Sequence, residues 1–311
     1  MALFAYLIRK FLYIVIVIFT VATLTFLMAH AIPGGPFTRE KPLPPAVKKN
    51  IEARYKLDKP IWNQYFDYIK NLIKLDLGPS FRYEALTVND IIRQKFPISA
   101  VLGFVAIVIA LFFGLSAGTI SALYPHKWQD SLFMFLALLG VSIPSFILAT
   151  FLMYLVGFKF GWFPVAGWGT PAHIVLPAFT LAAYPMAFIA KTIRTNMLEV
   201  LNQDYIKVAR AKGLPERVVL TRHALKNAIL PVVTYLGPLI ASIFTGSFLV
   251  ESIFAIPGLG KYFVSSIYDR DYTVIMGVTL FYCVLLVWLN FIVDISYSFI
   301  DPRIRIVKQH E

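Results

Sequence analysis

Long stretches without a charged side chain constrain this sequence more than any other feature. Phe11 to Pro36, Ile98 to Pro125, Ser131 to Phe158, Gly161 to Ala190 and Asn227 to Val250 contain no Asp, Glu, Lys or Arg, and a further run from Tyr272 is interrupted only by Asp294. Each run is long enough to cross a hydrocarbon core about 30 Å thick, which takes roughly 20 apolar residues of helix. The chain is 58% hydrophobic and 15% charged, whereas soluble domains carry about 25% charged residues. The reading is an all-α integral membrane protein with six transmembrane helices. The fourth run includes a loop, because Gly161 to Thr170 is rich in Gly and Pro, so its helix is expected to start near Pro171.

The formal charge of +12 could suggest nucleic acid, but the basic residues are scattered through loops beside apolar runs, where they orient a protein in the bilayer. Six spans place both termini on one side. The short segments of that side hold 14 Lys and Arg against 3 on the other, and the long segment 37–97 holds the remaining 12. The positive-inside rule makes the terminal side cytoplasmic, since so long a loop contributes little to orientation. Ala29-His30-Ala31 resembles a signal-peptidase site, yet the apolar run before it exceeds that of a signal peptide, so an uncleaved anchor is expected. The single cysteine, Cys283, allows no internal disulfide.

Three regions follow: a tail and first span, 1–36; a helical extracytoplasmic insert, 37–97; and a five-helix core, 98–311, with a cytoplasmic loop at 194–228. In the insert, Pro45 opens an expected helix through Tyr55. Asp58 is expected to cap a second helix carrying Ile61, Trp62, Tyr65, Phe66, Ile69, Leu72 and Ile73 at helical spacing. Thr87-Val88-Asn89-Asp90 resembles a capping box for a third helix, with Pro97 as a break before the next span. The apolar stripe of the second helix would cover either a partner or the membrane surface.

Within the spans, Gly114 and Gly118 form a GxxxG step that permits close helix approach. Pro144, Pro177, Pro185, Pro231 and Pro238 suit bent helices. Asp294 fits either a substrate route or a salt bridge with Arg303 or Arg305 near Asp301. The histidines lack the clustering of a metal site. No P-loop occurs: around Gly260-Lys261 the first glycine position is Ala255 and the last position is Tyr262. HExxH and GxSxG are absent too, so the chain reads as non-catalytic, with no cofactor of its own.

The polar centre is Asp204 to Pro231. Asp204 can N-cap a short helix, Lys212 suits its C-terminal end, and Gly213 can take the left-handed conformation that ends it. Pro215 fits the first position of a following helix. Eight residues fall below the roughly 12 to 15 at which isolated helices become marginal, so something must hold this helix. Tyr205, Val208 and Ala209 are expected to share the face that docks into an apolar groove on a partner.

The run ARAKGL, Ala209 to Leu214, followed by RHALKNAILPVVT, Arg222 to Thr234, resembles the EAA loop of ABC-importer permeases of the peptide and nickel type. Ala209, Gly213 and Leu225 match the general pattern. Lys207, Val208, His223 and Lys226 depart from it in the manner of the peptide branch. IPGGPFTREKPLPPAV and YKLDKP resemble the loop after the first span of oligopeptide permeases. The resemblance covers essentially the whole chain. It implies the ABC importer permease fold and a subunit that translocates oligopeptides, with dipeptide, nickel or glutathione permeases as alternatives. It also implies a second homologous permease, two cytoplasmic ATPases that bind ATP and Mg, and an extracytoplasmic peptide-binding protein. The ATPase-coupling residues would be Asp204, Tyr205, Val208, Ala209, Ala211, Gly213 and Leu214. A self-sufficient secondary transporter would need repeated polar breaks and midplane ions, and an intramembrane enzyme a catalytic pair; neither is visible.

This topology makes a labelling pattern: cysteines at Tyr68 or Lys261 should react with an impermeant reagent from outside, and those at Arg217 or Lys308 only from the cytoplasm. Reversed labelling overturns the orientation.

Overall fold

The computed structural model describes residues 2–31, 58–83, 85–246 and 248–300, with side-chain surroundings omitted at 2–7, 241, 245, 246 and 293–300. The expected helix from Pro45 to Tyr55 and the two alternatives for the Asp294 side chain therefore lie outside what is described. The helices in order are α1 (Ala2–Ala31), α2 (Ile61–Ile73), α3 (Val88–Leu123), α4 (Trp128–Ser142), α5 (Ser145–Leu152), α6 (Ala172–Leu201), α7 (Asp204–Ala211), α8 (Leu230–Gly246), α9 (Phe248–Ile253), α10 (Leu259–Asp269) and α11 (Tyr272–Ile300). A π-helical segment, Met153–Lys159, continues α5, and short turns at Glu216–Val218, Val219–Ala224 and Leu225–Ala228 link α7 to α8.

Among the described residues five stretches are long and apolar enough to cross a membrane: Ile8–Ala31, Val88–Leu123, Ala172–Leu201, Leu230–Ile253 and Tyr272–Ile292. The expected third span is divided into Trp128–Ser142 and Ser145–Lys159, which meet at 110°, and counts as a sixth if the pair crosses as one. Pro144 causes the elbow. Its ring pushes the preceding residue out of the helical region, and Ile143 is accordingly extended, at φ −86° and ψ 119°. α6 begins where the sequence indicates, with Pro171 as its N-cap. Pro231 differs from the other prolines because it lies in the first turn of α8, where no helical bond is lost.

Two compact units divide the chain. One comprises Met1–Ile98, Gly258–Val287 and Arg305–Glu311. Its core sets Val88 and Ile91 of α3 against Leu259, Val274 and Val278. The capping box forms as expected: Thr87 Oγ1 accepts from the Asp90 amide and Asp90 Oδ2 accepts from the Thr87 amide, both at 3.1 Å. The helix it starts does not stop at Pro97, however, but runs on to Leu123. The proline removes one backbone bond, a loss that spanning helices tolerate because their neighbours fix the path. Asp58 is not a cap either. Pro60 is the N-cap of α2, and its carbonyl accepts from the Asn63 and Gln64 amides at 2.9 and 3.2 Å.

Asp271 organises this unit. Its Oδ2 accepts from Ser80 Oγ at 2.5 Å and from the Phe81 and Arg82 amides, both at 3.1 Å. Its Oδ1 accepts from Thr273 Oγ1 and the Val274 amide. One buried carboxylate thus caps α11 and fastens the loop before α3.

The other unit, Ser99–Pro257 and Trp288–Ile304, is built on α6. Small residues let its neighbours close in. A Cβ on Gly118 would lie 2.5 Å from the Ala190 carbonyl oxygen and 2.8 Å from Ile193 Cβ, so the GxxxG step seats α3 on α6. Ser99 Oγ donates to Glu251 Oε1 at 2.7 Å, with both residues fully buried.

The strongest polar contact here is between Asp130 and Arg194. Arg194 donates through Nε to Oδ1 at 2.6 Å and through Nη2 to Oδ2 at 2.7 Å. Ser121 Oγ and the His126 amide complete the set of donors. Asp130 is only 4% exposed, and removing one member of such a pair leaves an uncompensated charge, at roughly 3 to 5 kcal/mol. Asp130→Ala should therefore lower the thermal midpoint of the purified protein sharply, whereas Asp130→Leu with Arg194→Met should recover most of it. Equal midpoints for wild type and Asp130→Ala would show the pair to be dispensable.

Candidate functional site

The segment 194–228 starts at this ion pair. α6 ends at Leu201, and Gln203, in extended conformation, is the N-cap of α7; its carbonyl accepts from the Ile206 amide at 3.1 Å. Asp204 is therefore the first helical residue and not the cap. It still places negative charge at the positive helix end, and it pairs with Lys207 at 2.9 Å across an exposed turn. Lys212 is the C-cap. Gly213 follows at φ +73°, its amide donating to the Arg210 carbonyl and that of Leu214 to the Ala209 carbonyl. These two bonds define a Schellman motif, in which a left-handed residue closes the last turn. Pro215 is one place earlier than expected. It is the N-cap of the next turn, and its carbonyl accepts from the Val218 and Val219 amides.

Ile206 and Ala209, one helical turn apart, are buried at 0% and 6% exposure. α7 packs on the π turn Val219–Ala224, in which Val219 and Ala224 are themselves buried. The chain thus supplies much of the support that an eight-residue helix lacks. Ala209 faces inward and does not share the outer face with Tyr205 and Val208, contrary to expectation, because its i, i+3 partner Ile206 fixes the inner face. The outer stripe is Tyr205, Val208 and Ala211, with Leu214 beyond the turn. Tyr205 and Val208 are 42% and 51% exposed.

Two further contacts stiffen the segment. Arg210 forks onto Glu216, Nη2 to Oε1 at 2.6 Å and Nε to Oε2 at 3.2 Å, bridging the Gly213 turn. Hydrogen bonding to Arg210 holds the Glu216 carboxyl below the usual range, and the same bonds raise Arg210. Asn227 Nδ2 donates to the Tyr205 hydroxyl at 2.7 Å. Neither contact follows a helical period, so no local pattern signals them. No group of three or more His, Cys, Asp or Glu able to hold a metal occurs among the described residues. A cavity of about 230 Å³ in the first unit is lined by Phe26, Tyr68, Asp76 and Tyr272 among others and is open to the surface.

These features define a class: a helical protein with several membrane-length spans and, among the described residues, a short polar helix packed on the turn that follows it. Residues 110–306 match the family described as binding-protein-dependent transport system inner membrane component, and residues 3–103 match its N-terminal counterpart. The chain belongs to this family, as its resemblance to ABC importer permeases of the peptide type implied. It is 49% identical over 304 residues to the dipeptide transport system permease protein DppB of Bacillus subtilis, covering 98% of this chain and 99% of that one. It is 42% identical over 302 residues to the oligopeptide transport system permease protein OppB of Escherichia coli, covering 96% and 99%. Among solved structures, an inward-facing MetNI methionine ABC transporter aligns with a TM-score of 0.56 at 16% identity, over 68% of this chain and 96% of that one. That likeness concerns the fold.

A Cβ on Gly213 would meet nothing within 4 Å, so substitution there tests backbone strain alone. Gly213→Val should cost at least about 1 to 2 kcal/mol locally and speed amide exchange across 204–214 about tenfold, leaving the thermal midpoint of the bundle in place. Unchanged exchange would remove the left-handed turn as the clamp on α7.

Proposed function

We propose that this chain is a permease subunit of an ATP-driven importer of short peptides, working with a second homologous permease, two cytoplasmic ATPases and an extracytoplasmic binding protein. The observation that carries the reading is near full-length identity of 42–49% to permeases named for oligopeptide and dipeptide transport. Oligopeptides are the first reading of the cargo, from the sequence resemblance at 33–60 and 209–234. The 49% identity to a dipeptide permease favours dipeptides as the second. The distribution of basic residues supports a cytoplasmic position for both termini.

In this scheme α7 is the lever between the ATPases and the spans. Its inner face is committed to its own chain, and its outer stripe of Tyr205, Val208 and Ala211 offers an apolar surface of about two turns to a groove on an ATPase. Arg210–Glu216 and the Gly213 turn would make helix and following turn move as one piece. ATP-driven closure of the ATPases would then displace the segment, and the spans would alternate between outward and inward openings. Asp294 keeps its place as a candidate on the substrate route.

Val208 tests the coupling more cleanly than Ala209, because a charge at Ala209 would also disrupt the chain's own packing. In reconstituted complexes Val208→Asp should abolish most peptide uptake and uncouple it from ATP hydrolysis, since an unpaired charge in an apolar groove costs several kcal/mol. Normal uptake with normal coupling would rule out the outer stripe as the docking face. Competition of labelled uptake by dipeptides against pentapeptides decides the cargo class.

A further inference from the structure

α2 buries none of its residues completely, yet it is not evenly exposed. Tyr65, Tyr68, Ile69 and Leu72 are half-buried, whereas Trp62, Phe66 and Ile73 are 69%, 66% and 80% exposed. At 100° per residue the three exposed side chains fall within about 40° of arc. Lys70 and Lys74 follow at one edge of that stripe, both exposed and without an ion pair among the described residues.

The depth of this helix is set by α1. Tyr65 OH lies 2.8 Å from Thr23 Oγ1, and the Phe26 ring sits 5.3 Å from that of Tyr65 and 5.7 Å from that of Tyr68. Gln64 Oε1 lies 3.2 Å from Nε2 of His30, one residue before the end of the span Ile8–Ala31. α2 itself therefore sits at that end, and the Tyr65 side chain reaches inward from it to Thr23, about 12 Å along α1. Between these levels the other side of α1 exposes Leu24, Leu27 and Met28, which are side chains for acyl chains and not for water. A helix fastened there carries its stripe into the boundary between headgroups and acyl chains. Aromatic residues on one face with lysines at its edge are the pattern of helices that lie in that boundary.

We propose that α2 is an interfacial anchor, with Trp62, Phe66 and Ile73 inserted into the leaflet from which the C-terminal end of α1 emerges, and Lys70 and Lys74 on the phosphates of anionic lipids. The anchor holds the insert at a fixed height on the membrane and leaves its other faces to bind a partner. The occupant of the stripe is lipid, by continuity with the lipid-facing side of α1 and by the charge of the two lysines.

The test places nitroxide labels one at a time on cysteines at positions 62, 66 and 73, with positions 63 and 71 as controls, in a Cys283→Ser background. The full chain is used with its co-expressed transporter subunits in phospholipid nanodiscs. The anchor requires labels at 62, 66 and 73 to relax more with oxygen than with a water-soluble nickel chelate, and the controls to show the reverse. Equal access to the chelate at all five positions overturns it. Inaccessibility of the stripe to both reagents also overturns it, because protein would then cover the stripe, either residues 32–57 or a docked subunit. Adding phosphatidylglycerol to phosphatidylcholine discs should deepen the label at position 66, and Lys70→Glu with Lys74→Glu should abolish that response. A depth that ignores lipid charge in the parent background removes the role given to the lysines.

Discussion

A single carboxylate, that of Asp130, joins the pieces of the larger unit that apolar packing alone leaves unaligned. Side chains on spanning helices slide past one another at little cost, since lipid and leucine are nearly equivalent surroundings. A forked guanidinium contact with two further donors has one geometry. Through it the end of α3, the turn after it, the start of α4 and the last turns of α6 are fixed in register. α6 leads within ten residues to α7, so the docked helix inherits its position from this ion pair. Asp271 does the same work in the smaller unit, tying the loop at 80–82 to the start of α11.

Much of the architecture was legible because apolar length is a strong signal. The charge-free runs located the spans, Thr87 and Asp90 announced a helix start, and Gly213 between two short apolar patterns announced a stop. The buried charges were hidden for one reason: they stand at the edges of those same runs. Asp130 stands one residue before the run that begins at Ser131, and Glu251 one residue after the run that ends at Val250. Both read as flanking polar residues, and both are buried. Their partners, Arg194 and Ser99, lie 64 and 152 residues away, beyond the reach of any local pattern.

The candidate site shows how far a short helix can be read. Its ends were found to within one residue: Gln203 takes the cap in place of Asp204, Gly213 closes the helix as expected, and Pro215 caps the following turn instead of filling its first position. Its faces were not, because Tyr205, Val208 and Ala209 and the pair Ile206 and Ala209 are equally acceptable apolar sets on eight residues. Only the π turn at 219–224 chooses between them. That turn has no sequence signature, so the choice had to come from structure.

The elbow between α4 and α5 has a consequence for water. Pro144 brings no N–H, so the carbonyl of Gly140 has no donor four residues on, although the Ile143 amide still donates to the Leu139 carbonyl and the Pro144 carbonyl accepts from the Ile147 and Leu148 amides. Bare peptide groups cannot face acyl chains without losing several kcal/mol each. Within a membrane such carbonyls therefore need a donor from water, a side chain or another polypeptide. The bend thus gives an apolar stretch of the larger unit one polar point, at which peptide oxygens ask for a partner that acyl chains cannot supply.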